Sequence, residues 1–435
     1  MKIKISLLLF LCTILFVACS KFSHHHGHDY GDDDENQNPP VTQKPPIKFS
    51  KNQMIVRLEG MTPDQKNELR GTDPGSDFVL AAPPETCSCG DSNIELWTID
   101  TTATDSDIEG ARDRLNRNSG RERVKGDIDF EITIPIDKQI TDVGDDNGSA
   151  TPSIDDDVII AIIDTGIDYY YDQVDYEYLI DTDGLICDES YTGWDFVDNS
   201  DNPIDKHGHG TYVTKIIRNI LEPTIGFKIL PLKVFDSSGK GSYSNLVCAM
   251  NYLNKFEEKV RNIDIVNASF GGTLQTEELN ELILLPELIE KLGDDTVVIA
   301  SAGNEGAEVD SGDIRHFPSG FESNNILAVG GYDLDSSGAI QIHSSSNRGT
   351  GSIDLATLYG PYNLEFNTVS TPIAIDNLQG TSYGAAYVSG IAAKEKGNNN
   401  GIIDLKGHVL NLTVPISSLN SYIAEGRALE QPPTP

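Results

Sequence analysis

Beyond residue 150 the chain alternates between short unbroken apolar runs and longer stretches of helical period. VIIAIID (158–164), DIVNASF (264–270), VVIASAG (297–303) and ILAVGGYD (326–333) are strand-length and lack a polar face, whereas 211–221, 242–260 and 277–292 read as helices. Strands that are apolar on both sides, separated by helices, predict a mainly parallel sheet with helices on both faces, an α/β unit. In such a unit the chemistry belongs at the carboxyl ends of the strands. A last pattern, GTSYGAAYVSGIAAK (380–394), has the small residues of a closely packed, buried helix.

Residues 49–135 have a different texture. MIVRLEG (54–60) and IELWTID (94–100) read as strands, Pro63 to Arg70 and 107–118 as helices. Asp127 to Ile134 reads as a final strand in which Ile128, Phe130 and Ile132 alternate with polar positions. The expectation is a small α+β sandwich of ferredoxin-like type. The Asp- and Gly-rich TDVGDDNGSA (141–150) reads as an exposed linker.

At the start of the chain, Lys2 and Lys4 precede an apolar run from Ile5 to Ala18. It is shorter than the ~20 residues a membrane span requires, and reads as a secretory leader. Phe16-Val17-Ala18-Cys19 resembles a bacterial lipobox, with Phe16 where Leu is commoner. The resemblance implies cleavage before Cys19, acylation of that cysteine, and attachment to a membrane through lipid. Ser20 then favours delivery to the outer membrane, placing the protein in the bacterial cell envelope, facing the periplasm or the surface. Residues 19–48, with HHHGH (24–28), Asp32 to Glu35 and a proline-rich stretch, have the composition of a disordered tether. The histidines there read as a solvated tract rather than a metal site. The division is thus a leader (1–18), tether (19–48), small domain (49–135), linker (136–151), α/β domain (152–430) and tail (431–435).

Composition narrows the function. At roughly 150 residues per domain, 435 residues allow two or three domains. Thirty-two basic against 68 acidic residues give a formal charge of −36. That excludes the basic face a nucleic-acid partner requires. Of six cysteines, Cys12 and Cys19 lie in the leader, leaving Cys87, Cys89, Cys187 and Cys248. Disulfide stapling is therefore not the main source of stability. Cys87 and Cys89 sit in a Pro/Gly turn, and as two thiols alone do not make a zinc site, no chemistry is assigned to them.

Several residues at element ends are candidates for chemistry. Ser382 falls at the start of the small-residue helix, where free N–H groups and the dipole favour developing negative charge. A serine there is a helix cap unless a base reaches it, in which case it is a nucleophile. Asp164 ends the run VIIAIID, His209 lies in KHGHGT (206–211), and Asn304 follows VVIASAG in GNEG (303–306). Each alone reads as a turn or cap residue. Together they give the order Asp, His, Ser, with a side-chain amide between His and Ser.

With DTGID (164–168), GHGT (208–211), VNASFGG (266–272), ASAGNEG (300–306) and GTS (380–382) in this order, residues 150–430 resemble the subtilisin-like serine proteases. GWDFVDNSDNPIDKHGHGT (193–211) is similar to that family's approach to its histidine, and the Asp-His-Ser order is the subtilisin one. The resemblance implies a serine endopeptidase acting on proteins or peptides. Ser382 would be the nucleophile and His209 its base, and Asp164 would orient and stabilise the imidazole. The amide of Asn304 and the N–H of Ser382 would form an oxyanion hole. Ser269-Phe270-Gly271 and Ser301-Ala302-Gly303 match segments lining the family's cleft, where an extended peptide pairs with backbone. The base directly precedes Gly-Thr, which selects His209 over His207. Residues 49–135 would be a propeptide, a folding template and inhibitor removed by self-cleavage in the linker. The chemistry needs no cofactor. Structural calcium is common in the family, but Asp181, Asp183 and Asp188 lack the spacing of an EF-hand, and no metal ligands are assigned.

The departures are Tyr212-Val213-Thr214-Lys215 where the family has His-Val-Ala-Gly, and Tyr383-Gly384-Ala385-Ala386 where it has Met-Ala-x-Pro. They keep a second reading open, an inactive binding protein on a protease shell. GTSYG (380–384) also fits the G-x-S-x-G of α/β-hydrolases, for which only Asp404 and His408 follow in usable order.

Overall fold

The apolar runs of the second half assemble into one ten-stranded sheet whose central strands are parallel. The computed structural model describes residues 47–71, 77–87, 91–102, 107–118, 124–135, 157–169, 179, 193–223, 225–310, 313–366 and 372–431. The leader with Cys19, nearly all of the tether, the linker, Asp181, Asp183, Asp188, Cys89 and Cys187 lie outside the described residues.

The main elements of the N-terminal unit are β1 (Phe49–Leu58), α1 (Pro63–Leu69), β2 (Glu85–Cys87), β3 (Asp91–Thr98), α2 (Ile108–Asn118) and β4 (Val124–Thr133). The α/β unit follows with β5 (Val158–Asp164), β6 (Trp194–Asp195), α3 (His209–Leu221), β7 (Phe227–Lys233), β8 (Lys240–Ser242) and α4 (Tyr243–Lys259). It continues with β9 (Ile265–Ala268), α5 (Leu284–Lys291), β10 (Val297–Ser301), β11 (Ile326–Leu334), β12 (Leu355–Leu358), α6 (Thr381–Asn398) and β13 (Arg427–Ala428). Eight of the large sheet's ten strands run in the order β13-β12-β11-β10-β9-β5-β7-β6, with Val414–Pro415 beside β13 and Ile340–Ile342 paired to β11. All seven residues of β5 are buried. Successive side chains of a strand point to opposite faces. Accordingly Ile159, Ala161 and Ile163 pack with Leu246, Val247 and Leu253 of α4. Val158, Ile160 and Ile162 pack on the other side with Val213 and Ile217 of α3 and Ala385, Val388 and Ala392 of α6. The predicted layers are present.

The N-terminal unit forms the sheet β4-β1-β3-β2 with antiparallel neighbours. Its element and strand order is the split βαββαβ of a ferredoxin-like sandwich. Its own core includes Met54, Val56, Trp97, Leu115 and Ile128. The alternation on β4 does not serve that core throughout. Ile128 faces inward, but Phe130, Ile132 and Ile134 belong to the core of the α/β unit. There β4 adds β8 to its sheet as an antiparallel strand, with Thr133, Ile132 and Glu131 opposite Lys240, Gly241 and Ser242.

One predicted helix is divided. The stretch 277–292 forms Thr276–Glu281 and then α5. Pro286 lies in the first turn of α5, where its missing N–H costs no helical bond. The Asp127 carboxylate of β4 accepts the freed N–H groups of Ile283 (3.0 Å) and Leu284 (2.7 Å).

Candidate active site

Asp164 and His209 meet because the end of β5 faces the start of α3. Both carboxylate oxygens of Asp164 lie near Nδ1 of His209, at 2.8 and 2.9 Å. The carboxylate is fully buried and the imidazole 4% exposed. Asp164 also accepts the N–H of Thr165 at 2.7 Å, and the Thr165 hydroxyl accepts the N–H of Gly210 at 2.9 Å. Helix and strand end approach so closely that a Cβ on Gly210 would sit 2.2 Å from the carbonyl oxygen of Gly166. Only glycine fits there, which accounts for its place after His209.

A second carboxylate, missed in the sequence, sets the loop before α3. Asp205 is buried and accepts N–H groups of His207, Gly208 and Thr211 and the hydroxyl of Thr211, at 2.7–3.0 Å. The signal for it was the polar Asp-Lys-His-Gly turn just ahead of a helix.

Ser382 is the second residue of α6, after Gly380 at φ +144°. The side-chain oxygen of Asn304 accepts the Thr381 N–H (2.9 Å) and hydroxyl (3.1 Å). These bonds engage only the oxygen of the Asn304 amide, and the residue is exposed. Its Nδ2 lies 3.3 Å from where a Cβ on Gly380 would be, beside the helix start. The Ser382 carbonyl accepts the hydroxyl of Ser269 at 2.8 Å. Ser269 in turn accepts from Asn267, and Asn267 from the hydroxyl of Ser389, at 2.9 and 3.0 Å. Tyr383 lays its ring 5.5 Å from the imidazole of His209, bringing the start of α6 against the Asp164–His209 pair.

The cleft candidates divide by what they present. Ser269, Phe270 and Gly271 follow β9; Ser301 ends the adjacent β10 and leads into Ala302 and Gly303. The ring of Phe270 is buried against Phe235 at 5.6 Å, so this position offers only backbone to a cleft. The other predicted constellation is far away. His408 pairs with Glu395 at 3.0 Å, and Asp404 caps the helix Leu405–Asn411. Glu395 is thirteen residues beyond Ser382 on α6, about 20 Å at the helical rise. The α/β-hydrolase arrangement is therefore absent. Among the described residues, no group of three or more His, Cys, Asp or Glu side chains is arranged to hold a metal ion.

A family model described as the subtilase family matches residues 155–412, more than half of the chain. The chain belongs to the subtilase family. This subtilase is 27% identical over 277 residues to the thermophilic serine proteinase of Bacillus sp. (strain AK1), covering 62% of this chain and 59% of that protein. It is 26% identical over 276 residues to thermitase of Thermoactinomyces vulgaris, covering 62% of this chain and 85% of thermitase. Its fold is similar to that of the epidermin leader peptide processing serine protease of Staphylococcus aureus. That likeness has a TM-score of 0.54 at 16% identity, over 88% of this chain and 98% of the other. The subtilase domain thus carries the paired Asp164 and His209, while Cys87, to which no chemistry was assigned, forms a disulfide with Cys248.

Proposed function

We propose that this subtilase is a serine endopeptidase made as a self-processed precursor. The observation that carries the reading is the grip of both Asp164 oxygens on His209 Nδ1. It fixes the tautomer that leaves Nε2 as a base and stabilises the imidazolium formed when a serine proton is taken. Ser382 attacks the peptide carbonyl and His209 takes its proton, then returns it to the departing amine. The oxyanion is met by the N–H of Ser382 and the Asn304 amide. Loss of such an amide costs roughly 10²–10³ in rate, about 2.7–4 kcal/mol, the magnitude known for subtilisin itself. The acyl-enzyme is then hydrolysed by water with the same base.

The N-terminal unit acts as propeptide and inhibitor. In support, β4 pairs antiparallel with β8 as an extended peptide adds to open backbone, and Ile134 donates its N–H to the carbonyl of Gly239 at 2.8 Å. Lipid on Cys19 anchors the enzyme to the envelope membrane, on the strength of the leader sequence alone. Calcium, where bound, would be structural, and no step depends on it.

A fluorophosphonate probe tests the reading. With the Cys87–Cys248 disulfide reduced, Ser382 should be labelled in the processed chain and unlabelled in His209→Ala treated alike. Absence of label on Ser382 would replace the enzyme with a binding protein built on this fold. The Ser382→Ala chain should accumulate uncut precursor, and its normal processing would refute self-cleavage.

A further inference from the structure

The Cys87–Cys248 disulfide spans 161 residues and joins β2 of the N-terminal unit to α4 of the peptidase unit. Every peptide bond of the linker lies between these two cysteines. A cut there opens the chain without separating its halves. Cys248 is six residues past Ser242, the last residue of β8, about 9 Å along the helix. The cross-link therefore pins the N-terminal unit next to the edge on which β4 is seated. Asp129 fastens the same helix start by accepting the Ser244 N–H at 2.8 Å, and Asp127 accepts the Tyr243 hydroxyl at 2.7 Å.

We propose that linker cleavage yields a disulfide-linked two-chain molecule whose cleft stays covered by β4, and that breaking Cys87–Cys248 is the step that frees the enzyme. The inference rests on the proposed inhibitory role of the N-terminal unit. A free inhibitor dissociates and is diluted. A tethered one faces its seat at an effective concentration in the millimolar range and rebinds. Cys87 is only 4% exposed and packs in the core shared with Ile55 and Ile94, while Cys248 is half-buried, so a reductant reaches the bond from the Cys248 side or when the unit lifts from its seat. The co-reactant is a dithiol. One of its thiolates attacks a sulfur of the disulfide and forms a mixed disulfide, which its second thiol resolves. Two electrons and two protons pass to Cys87 and Cys248, which become free thiols, and the dithiol becomes a cyclic disulfide.

The test uses the full chain purified without reductant. In the Ser382→Ala chain, a recognition sequence for an unrelated site-specific protease is inserted between Gly144 and Asp145, and the linker is cut from outside. The product should migrate as one species on a denaturing gel and as two after dithiothreitol. Two species without reductant would overturn the proposal, whatever the chain's own activity. With Ser382 retained, hydrolysis of a fluorogenic peptide by the cut chain should rise at least ten-fold on adding dithiothreitol. The cut Cys87→Ser/Cys248→Ser chain should reach that rate without it. Equal rates of the two cut chains in the absence of reductant would overturn the gating step. A chain inactive in every arm counts against the endopeptidase reading, and the gel still decides the tether.

Discussion

The hydroxyl of Ser389 donates to the side-chain oxygen of Asn267 at 3.0 Å, tying the interior of α6 to β9. Asn267 passes the restraint to Ser269, and Ser269 holds the carbonyl of Ser382. All three side chains are buried. Ser389→Ala leaves a buried amide oxygen short of a donor, at a cost of about 1–3 kcal/mol. The denaturant midpoint should fall accordingly. If the relay also positions Ser382, kcat should drop several-fold with KM little changed. An unaltered kcat would confine the relay to stability.

The grip of the N-terminal unit should depend on pH. Burial raises the carboxyls of Asp127 and Asp129 from 3.8 to about 6, and the N–H groups of Leu284, Ile283 and Ser244 and the Tyr243 hydroxyl only partly offset it. Arg112 also pulls Asp127 downward, and Tyr243 is itself raised well above 10, so it stays neutral in this range. A seated-state pKa above the free value means that the seated state binds protons more tightly. This contribution is complete below about pH 4 and is lost as pH rises through about 6. In the Ser382→Ala chain, the melting temperature relative to Asp127→Asn/Asp129→Asn should be higher at pH 5 than at pH 7.5. A difference independent of pH would refute the assignment.

Phe130 should anchor the seat. Its ring stacks on Tyr243 at 4.7 Å and meets Phe317 edge-on at 5.6 Å, with 2% exposure. Phe130→Ala should cost about 3–5 kcal/mol, read as faster digestion of 124–135 by an added protease in the Ser382→Ala chain. Unchanged digestion would show that the anchor lies elsewhere.

His408 should be dispensable for chemistry. It and Glu395 are each about a third exposed, and such ion pairs contribute about 0–1 kcal/mol. His408→Ala should leave both Ser382 labelling and peptide hydrolysis unchanged. Loss of labelling would revive a serine–histidine pairing that the geometry places at opposite ends of α6.

What the sequence disclosed follows the range of each interaction. β5, β9, β10 and β11 were readable because doubly covered strands are apolar at every position. The places of Asp164, His209 and Ser382 were readable because Asp164 ends such a strand and the other two lie at helix starts. The destination of Phe130 was not, since its alternation fits either core equally well. The break before α5 needed a carboxylate from Asp127, 156 residues earlier. Cys87 gave no local sign that its partner was Cys248 rather than Cys89 or Cys187. Asp205 looked like any turn aspartate until four donors converged on it.

The strand β8 is only three residues long and begins with a lysine. Stripped of β4, it leaves three residues of extended backbone with open N–H and C=O groups, the kind of surface through which proteins stick to one another. Shortness and charge are how such margins avoid templating further chains. This one has room to clasp a single passing polypeptide and too little length to nucleate a fibre.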